Sequence, residues 1–269
     1  MKTTIKGIAK SLLFFILWGL GVGLIPIPDY SDPAIWRLFA EMIPLLITIV
    51  LTYGFVYFDK QDIKLGLKDH LLKKIFLGII FGLIWLGLTI FIIYILGGLS
   101  IDSKNSVDGL FIWFIALFLN TIMQELVFRG YIYQMLKKDN RIVAVVVSTL
   151  LFTLLHGGAF EAGLIPVLNV ITMSLFMTAV LEYADSLWPA IIIHYIWNAI
   201  GALVLGLVLL ADDYINIYNM NFHGNELITG GAVKIEGSII VLVLNLLLMI
   251  YFIQLKAKKK EHKEKRKSV

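Results

Sequence analysis

The stretch IFLGIIFGLIWLGLTIFIIYILG, residues 75–97, contains 23 residues and no charged side chain. About 20 apolar residues in a helix are enough to cross the hydrocarbon core of a bilayer. Seven further apolar segments flank it: 7–27, 35–58, 109–136, 142–157, 164–183, 187–210 and 238–255. Each is predicted to be a helix, because lipid offers the backbone no hydrogen-bond partner and the pattern lacks the alternation of a barrel strand. The expected fold class is therefore all-α, a polytopic transmembrane helical bundle of about eight spans.

The overall composition agrees with a membrane protein. The 269 residues are 59% hydrophobic with a mean hydropathy of +0.87, whereas soluble domains are about 45–50% apolar. The absence of cysteine excludes disulfides and thiolate zinc sites. We expect one transmembrane domain, residues 1–255, and a basic cytoplasmic tail, residues 256–269. Such a tail is typical of a solvated flank, so we expect the bilayer as a partner and no nucleic acid.

The distribution of positive charge predicts the orientation. Of the 23 Lys and Arg residues, 19 fall in residues 1–10, 59–74, 137–141 and the tail, while Arg37, Lys104 and Lys234 are left for the outer loops. Because cytoplasmic loops are rich in Lys and Arg, both termini are predicted to be cytoplasmic. The first apolar segment lacks a cleavage pattern and is interpreted as a retained span. We expect a multi-pass protein of the plasma membrane, and the Lys- and Ile-rich composition favours a bacterial source.

The segment 109–136 contains a polar motif within an otherwise apolar span. Glu125 and Arg129 are four residues apart, with the acid first, which is the stabilising order for a helical ion pair. Gln124 and Asn120 form a polar row beside them. An ionisable residue inside a membrane is costly and indicates a functional site, although an ion pair that only holds the bundle together would give the same pattern.

Two later segments add imidazoles. His156 follows Phe152 by four residues near the outer end of segment 142–157, and His194 precedes Asn198 by four residues in segment 187–210. A His and an Asn on one face can bind a metal or donate to a developing oxyanion. Each residue alone could be a simple interhelical hydrogen-bonding group. Taken together, these side chains from three helices predict one intramembrane site.

These residues carry a family resemblance. The chain resembles the CPBP family of intramembrane proteases, the CAAX proteases and bacteriocin-processing enzymes of the Abi group. The family motif Glu-Glu-x-x-x-Arg is similar to Gln124–Arg129, Phe-x-x-x-His to Phe152–His156, and His-x-x-x-Asn to His194–Asn198. The similarity covers about residues 109–205, and the N-terminal spans agree only in number and hydrophobicity.

The resemblance implies endoproteolysis of a membrane-bound or lipid-modified peptide or protein. In such enzymes the first Glu and the His of the second motif activate a water. By this resemblance His156 would orient the water, and His194 and Asn198 would stabilise the oxyanion. Glu125 and Arg129, together with Phe152, would support them.

Position 124 departs from the family pattern, because Gln stands where the family has its catalytic Glu. A carboxamide can hold a water but cannot accept its proton as a general base. Three explanations stay open: a naturally inactive relative, an isosteric substitution introduced deliberately, or Glu125 acting as the base.

The cofactor and the class of function also stay open. A zinc ion held by His156, His194 and Glu125 is one interpretation, while the glutamate–histidine mechanism of the family needs no metal. The alternative to a protease is a non-catalytic membrane binding protein, or a bacteriocin self-immunity protein, on the same scaffold. A transporter with Glu125 and the histidines as a proton relay is a third hypothesis, which the order of the motifs disfavours. The sequence does not indicate an oligomeric state.

Overall fold

Helices make up most of the chain. The computed structural model describes residues 2–60, 63–96, 98–210 and 214–266. Its α-helices in chain order are α1 (Lys2–Leu24), α2 (Pro33–Asp59), α3 (Leu71–Ile95), α4 (Leu110–Lys137), α5 (Arg141–Leu155), α6 (Gly158–Ala162), α7 (Leu164–Ala184), α8 (Trp188–Val204), α9 (Glu226–Thr229) and α10 (Ile239–Lys265). A 3₁₀ segment, Gly231–Gly237, precedes α10.

The prediction of an all-α polytopic bundle is confirmed, and each of the eight predicted segments corresponds to an apolar helix. Within the described residues, six helices are long and apolar enough to cross a membrane, namely α1, α2, α3, α4, α7 and α10. The helices α5 and α8 are apolar but shorter. The segment predicted at 187–210 is helical only to Val204. Gly206 has a φ of +63° and turns the chain, and a Cβ there would lie 2.2 Å from the carbonyl oxygen of Tyr218.

A small sheet lies at one end of the bundle and was not expected from the sequence. Strand β1 (Leu99–Lys104) pairs antiparallel with β2 (Tyr218–Phe222). The pairing ties the connection between α3 and α4 to the long connection between α8 and α10. Within the long connection between α8 and α10, where the sequence predicts the largest outer loop at 211–236, residues 211–213 lie outside the described part of the chain.

The opposite end of the bundle gathers basic side chains around one acid. Glu182, which is 4% exposed, forms ion pairs with Lys137, Arg141 and Lys256. A second ion pair, between Lys10 near the start of α1 and Asp59 at the end of α2, lies at this end as well. These contacts place the start of α1 and the end of the apolar part of α10 at the same end of the bundle, as the charge distribution requires.

Two glycines let α3 approach α8 closely. A Cβ added at Gly78 would lie 2.7 Å from the Cβ of Ile192, and one added at Gly82 would lie 2.8 Å from Cδ1 of Ile196. The small-xxx-small pattern of α3 is thus a helix contact, in which the missing side chains permit close packing. This contact fixes α8, the helix that contains His194 and Asn198.

Two of the three helices that carry the predicted polar motifs, α4 and α8, change their winding there. Leu126–Tyr133 within α4 and Trp197–Val204 within α8 are π-helical. Stretches of π-helix are rare and frequently mark functional sites.

Candidate active site

Glu125 connects the first motif to the third. Its Oε1 atom lies 3.2 Å from Nη1 of Arg129 and 2.9 Å from Nδ1 of His194. Glu125 and Arg129 are fully buried, and His194 is 2% exposed. The ion pair predicted within α4 is therefore present, and it also holds the imidazole of α8, a contact that the sequence did not indicate.

Arg129 is held by three different groups. Besides Glu125, its Nη2 donates to the carbonyl oxygen of Ser174 on α7 at 3.1 Å. Its guanidinium carbon lies 4.2 Å from the centre of the Phe152 ring, a distance at which a cation is attracted to the face of an aromatic ring. Arg129 thus fixes the positions of α4, α5 and α7 relative to one another.

His156 lies immediately beyond the end of α5. Its Nδ1 is 2.8 Å from the carbonyl oxygen of Phe152, and its ring centre is 4.3 Å from that of Phe152. A carbonyl can only accept, so Nδ1 carries the proton and a neutral His156 keeps its lone pair on Nε2. Phe152, predicted as a supporting residue, is buried between the guanidinium of Arg129 and the two site histidines.

Gln124 belongs to a chain of amides and acids. Its Nε2 donates to Oδ1 of Asn120 at 2.8 Å, and Nδ2 of Asn120 donates to Oε2 of Glu41 at 2.7 Å. Glu41 lies on α2 and also accepts from Nη1 of Arg37 and from the hydroxyl of Tyr214. Oε1 of Gln124 has no hydrogen-bond partner among the described residues.

These groups meet at a cavity of about 610 Å³. Gln124, His156, His194 and Asn198 all line it, as do Asn120 and Glu41. Other polar residues of the lining come from α7, α10 and the 3₁₀ segment: Asn169, Glu236 and Asn245. Glu125 and Arg129 are not among the lining residues, so they lie behind His194 and act on the cavity through it.

The side chains named for a zinc ion are not arranged as a ligand group. Among the described residues, no group of three or more His, Cys, Asp or Glu side chains is placed to hold a metal ion. Glu125 uses its Oε1 for Arg129 and His194. A three-ligand site built on His156, His194 and Glu125 therefore does not fit this geometry.

Sequence reasoning missed the contribution of α2. Arg37, which was expected among the outer loops, is a buried residue of α2 paired with Glu41 at 3.2 Å. Glu41 lies within the predicted span 35–58, so the rule that drew attention to Glu125 would also have found it. No local motif indicated Tyr214, which reaches Glu41 from the long connection after α8.

Comparison with known proteins agrees with the motifs. A family model described as Type II CAAX prenyl endopeptidase Rce1-like matches residues 106–200. This segment contains all the predicted site residues from Gln124 to Asn198, and the family resemblance is confirmed over it. No curated protein and no solved structure matches the chain.

Proposed function

We propose, from the match of residues 106–200 to the Rce1-like type II CAAX prenyl endopeptidases, that this membrane protein is an intramembrane endopeptidase. Its substrates are membrane-associated peptides or proteins, with lipid-modified peptides the first class to examine. The observation that carries the proposal is the convergence of His156, His194 and Asn198 on one cavity within the bundle.

His156 is the proposed base. The carbonyl of Phe152 fixes the proton on Nδ1, so that Nε2 can accept a proton from water. The resulting hydroxide would attack the peptide carbonyl carbon, and the proton on His156 would pass to the leaving amine. A positioned general base of this kind contributes about 10²–10⁴-fold to a rate.

Gln124 would orient the attacking water without taking its proton. A carboxamide oxygen accepts a hydrogen bond but is not a base at physiological pH. With Oε1 of Gln124 accepting one hydrogen of the water and Nε2 of His156 accepting the other, the oxygen lone pair is left for the carbonyl carbon.

His194 and Asn198 would stabilise the negative oxygen of the tetrahedral intermediate. Asn198 can donate from Nδ2, and a protonated His194 can donate from Nε2. Glu125 accepts from Nδ1 of His194 at 2.9 Å and so fixes the direction of the ring. Donors that are already aimed at a developing charge need no reorganisation during the reaction.

The orientation of the chain sets the side from which substrate would enter. The cavity is lined by residues next to the α5–α7 turn and by the connection between α8 and α10, at the end of the bundle opposite Glu182 and its basic partners. With both termini in the cytoplasm, as the positive charges favour, the site would open toward the outer face of a bacterial plasma membrane.

The alternative function is a non-catalytic binding or self-immunity protein on the same scaffold. The specific observation in its favour is the carboxamide at position 124, which removes the strongest base that the family pattern provides. In that case partner binding, or protection of cells, would persist in His156→Ala and His194→Ala variants.

A cleavage assay tests the proposal. The protein in liposomes is mixed with fluorescent peptides that carry a lipid-modified cysteine, with their unmodified counterparts, and with single-span peptides, and products are identified by mass spectrometry. We expect internal cleavage of at least one membrane-associated class and a loss of about 10²-fold or more in His156→Ala. The matched control is His223→Ala, because this exposed histidine contacts Ser100 on the surface sheet. Equal rates in the parent and His156→Ala would refute the endopeptidase proposal.

A further inference from the structure

The carboxylate of Glu41 is connected to Gln124 through a single residue. Glu41 lies on α2, outside the segment that matches the family, and is 5% exposed. Its Oε1 accepts from the Tyr214 hydroxyl at 2.6 Å and from Nη1 of Arg37 at 3.2 Å, and its Oε2 accepts from Nδ2 of Asn120 at 2.7 Å. Three donors thus point at one buried carboxylate.

This acid determines how the two amides are turned. A carboxylate can only accept, so Asn120 must direct Nδ2 toward Glu41 and Oδ1 toward Gln124. Gln124 must then direct Nε2 toward Asn120, which leaves its Oε1 for the cavity. Tyr214 does not compete for the role of acceptor, because burial and the neighbouring Glu41 raise its pKa and keep it a hydroxyl donor.

We propose that Glu41 is a positioning residue that sets the direction of the Asn120–Gln124 hydrogen-bond chain, so that position 124 presents an acceptor to the water of the candidate active site. The catalytic consequence rests on the proposed endopeptidase function, while the direction of the chain does not. The family pattern has a Glu at position 124 on α4. Here position 124 is a Gln, and the carboxylate of this hydrogen-bond chain is Glu41 on α2.

The direction of this hydrogen-bond chain predicts what happens when Glu41 is replaced by the neutral Gln. In Glu41→Gln, the donors Tyr214 and Arg37 keep the amide oxygen Oε1 on their side. The new amide group Nε2 therefore takes the place of Oε2 and faces Asn120. Two donors cannot pair, so Asn120 turns round and donates to Oε1 of Gln124. The cavity then receives the Nε2 donor of Gln124 in place of its acceptor.

The hydrogen-bond chain also predicts that Gln124→Glu, which restores the family residue, does not by itself raise kcat. In Gln124→Glu the new carboxylate faces Oδ1 of Asn120, so two acceptors are opposed. Either this carboxylate or Glu41 must therefore bind a proton. In the double variant Glu41→Gln/Gln124→Glu the chain runs in reverse. Gln at position 41 donates to Asn120, Asn120 donates to Glu at position 124, and the second carboxylate oxygen is again an acceptor for water.

The test is a double-mutant cycle on the full-length protein in liposomes. We expect Glu41→Gln to lower kcat about tenfold or more, with a smaller change in KM, because a misdirected amide costs about one hydrogen bond to the water. Gln124→Glu is expected to gain little, while the double variant reaches at least the parent kcat. Glu264→Gln, the same change at an exposed carboxylate of the tail helix, is the matched control and should leave kcat unchanged.

Two measurements independent of proteolysis accompany the cycle. The midpoint of thermal unfolding should fall in each single variant and recover in the double variant, a coupling that adjacent interacting residues show and separate residues do not. Infrared difference spectra should show a protonated carboxyl group in Gln124→Glu that disappears in the double variant.

Each outcome decides the inference. It is overturned if the double variant is no better than the worse single variant in unfolding midpoint, or if Glu41→Gln matches the parent in both kcat and midpoint. If the midpoints and spectra show the expected coupling but none of the four proteins cleaves any peptide, the hydrogen-bond chain stands and the endopeptidase proposal fails.

Discussion

Oε1 of Glu125 lies 2.9 Å from Nδ1 of His194, and this contact joins two helices that the sequence separates by 69 positions. Because Glu125 is behind His194 rather than at the cavity, it orients the ring and balances the charge of Arg129. This geometry favours a supporting role for Glu125 over its use as a replacement base.

We expect Glu125→Gln to destabilise the protein by about 3–5 kcal/mol, because removing one partner of a buried ion pair leaves Arg129 uncompensated. Thermal unfolding in detergent measures the loss. The control is Glu264→Gln, whose partner Lys260 lies 3.8 Å away at an exposed position of the tail helix. If both variants unfold like the parent, the buried pair does not stabilise the bundle.

Alanine at Gly78 or Gly82 should push α3 away from α8. The added Cβ would lie within 3 Å of Ile192 or Ile196, and overpacking of this kind costs about 1–3 kcal/mol. Peptidase activity should fall together with stability, because α8 contains His194 and Asn198.

Gly87→Ala is the matched control in the same helix, since a Cβ there meets nothing within 4 Å. We expect it to be neutral or slightly stabilising, because Ala is favoured over Gly in a helix interior. Equal effects at all three glycines would show that helix propensity, and not the α3–α8 contact, accounts for the change.

Asn198→Ala tests the oxyanion role. Loss of one donor to the tetrahedral intermediate typically lowers kcat by about 10²–10³-fold, while KM changes little. Steady-state kinetics on a cleaved peptide separate the two constants. Asn221→Ala, an exposed position on β2, serves as the control. A rise in KM at constant kcat would assign Asn198 to substrate binding instead.

Removal of divalent metal should leave activity unchanged. The described residues provide no group of three acidic, imidazole or thiol ligands, and Glu125 is engaged by Arg129 and His194. The measurement compares cleavage before and after dialysis against a strong chelator, with zinc added back to one sample. Activity that falls on dialysis and returns with zinc would contradict this expectation.

The sequence alone determined the class of the protein and most of the site. Long charge-free segments require helices in a bilayer, because an unpaired backbone group in lipid is too costly. The spacing of Glu125 and Arg129 predicted a pair that forms, and the motif order predicted the family match over residues 106–200. These features are local, so single helices and their periodicity were sufficient.

Only the tertiary structure decided which groups meet across helices. It joined His194 to Glu125, connected Glu41 on α2 to Gln124 through Asn120, and brought Tyr214 from a distant connection onto the same acid. It also showed that α8 ends at Val204, before the end of the predicted segment 187–210. The physical reason is that an amide side chain can donate or accept, and the group that it faces on another helix decides which of the two it does. In the sequence, an amide at position 124 is a lost base, whereas in the fold its Nε2 donates to Asn120, which in turn donates to Glu41 on α2.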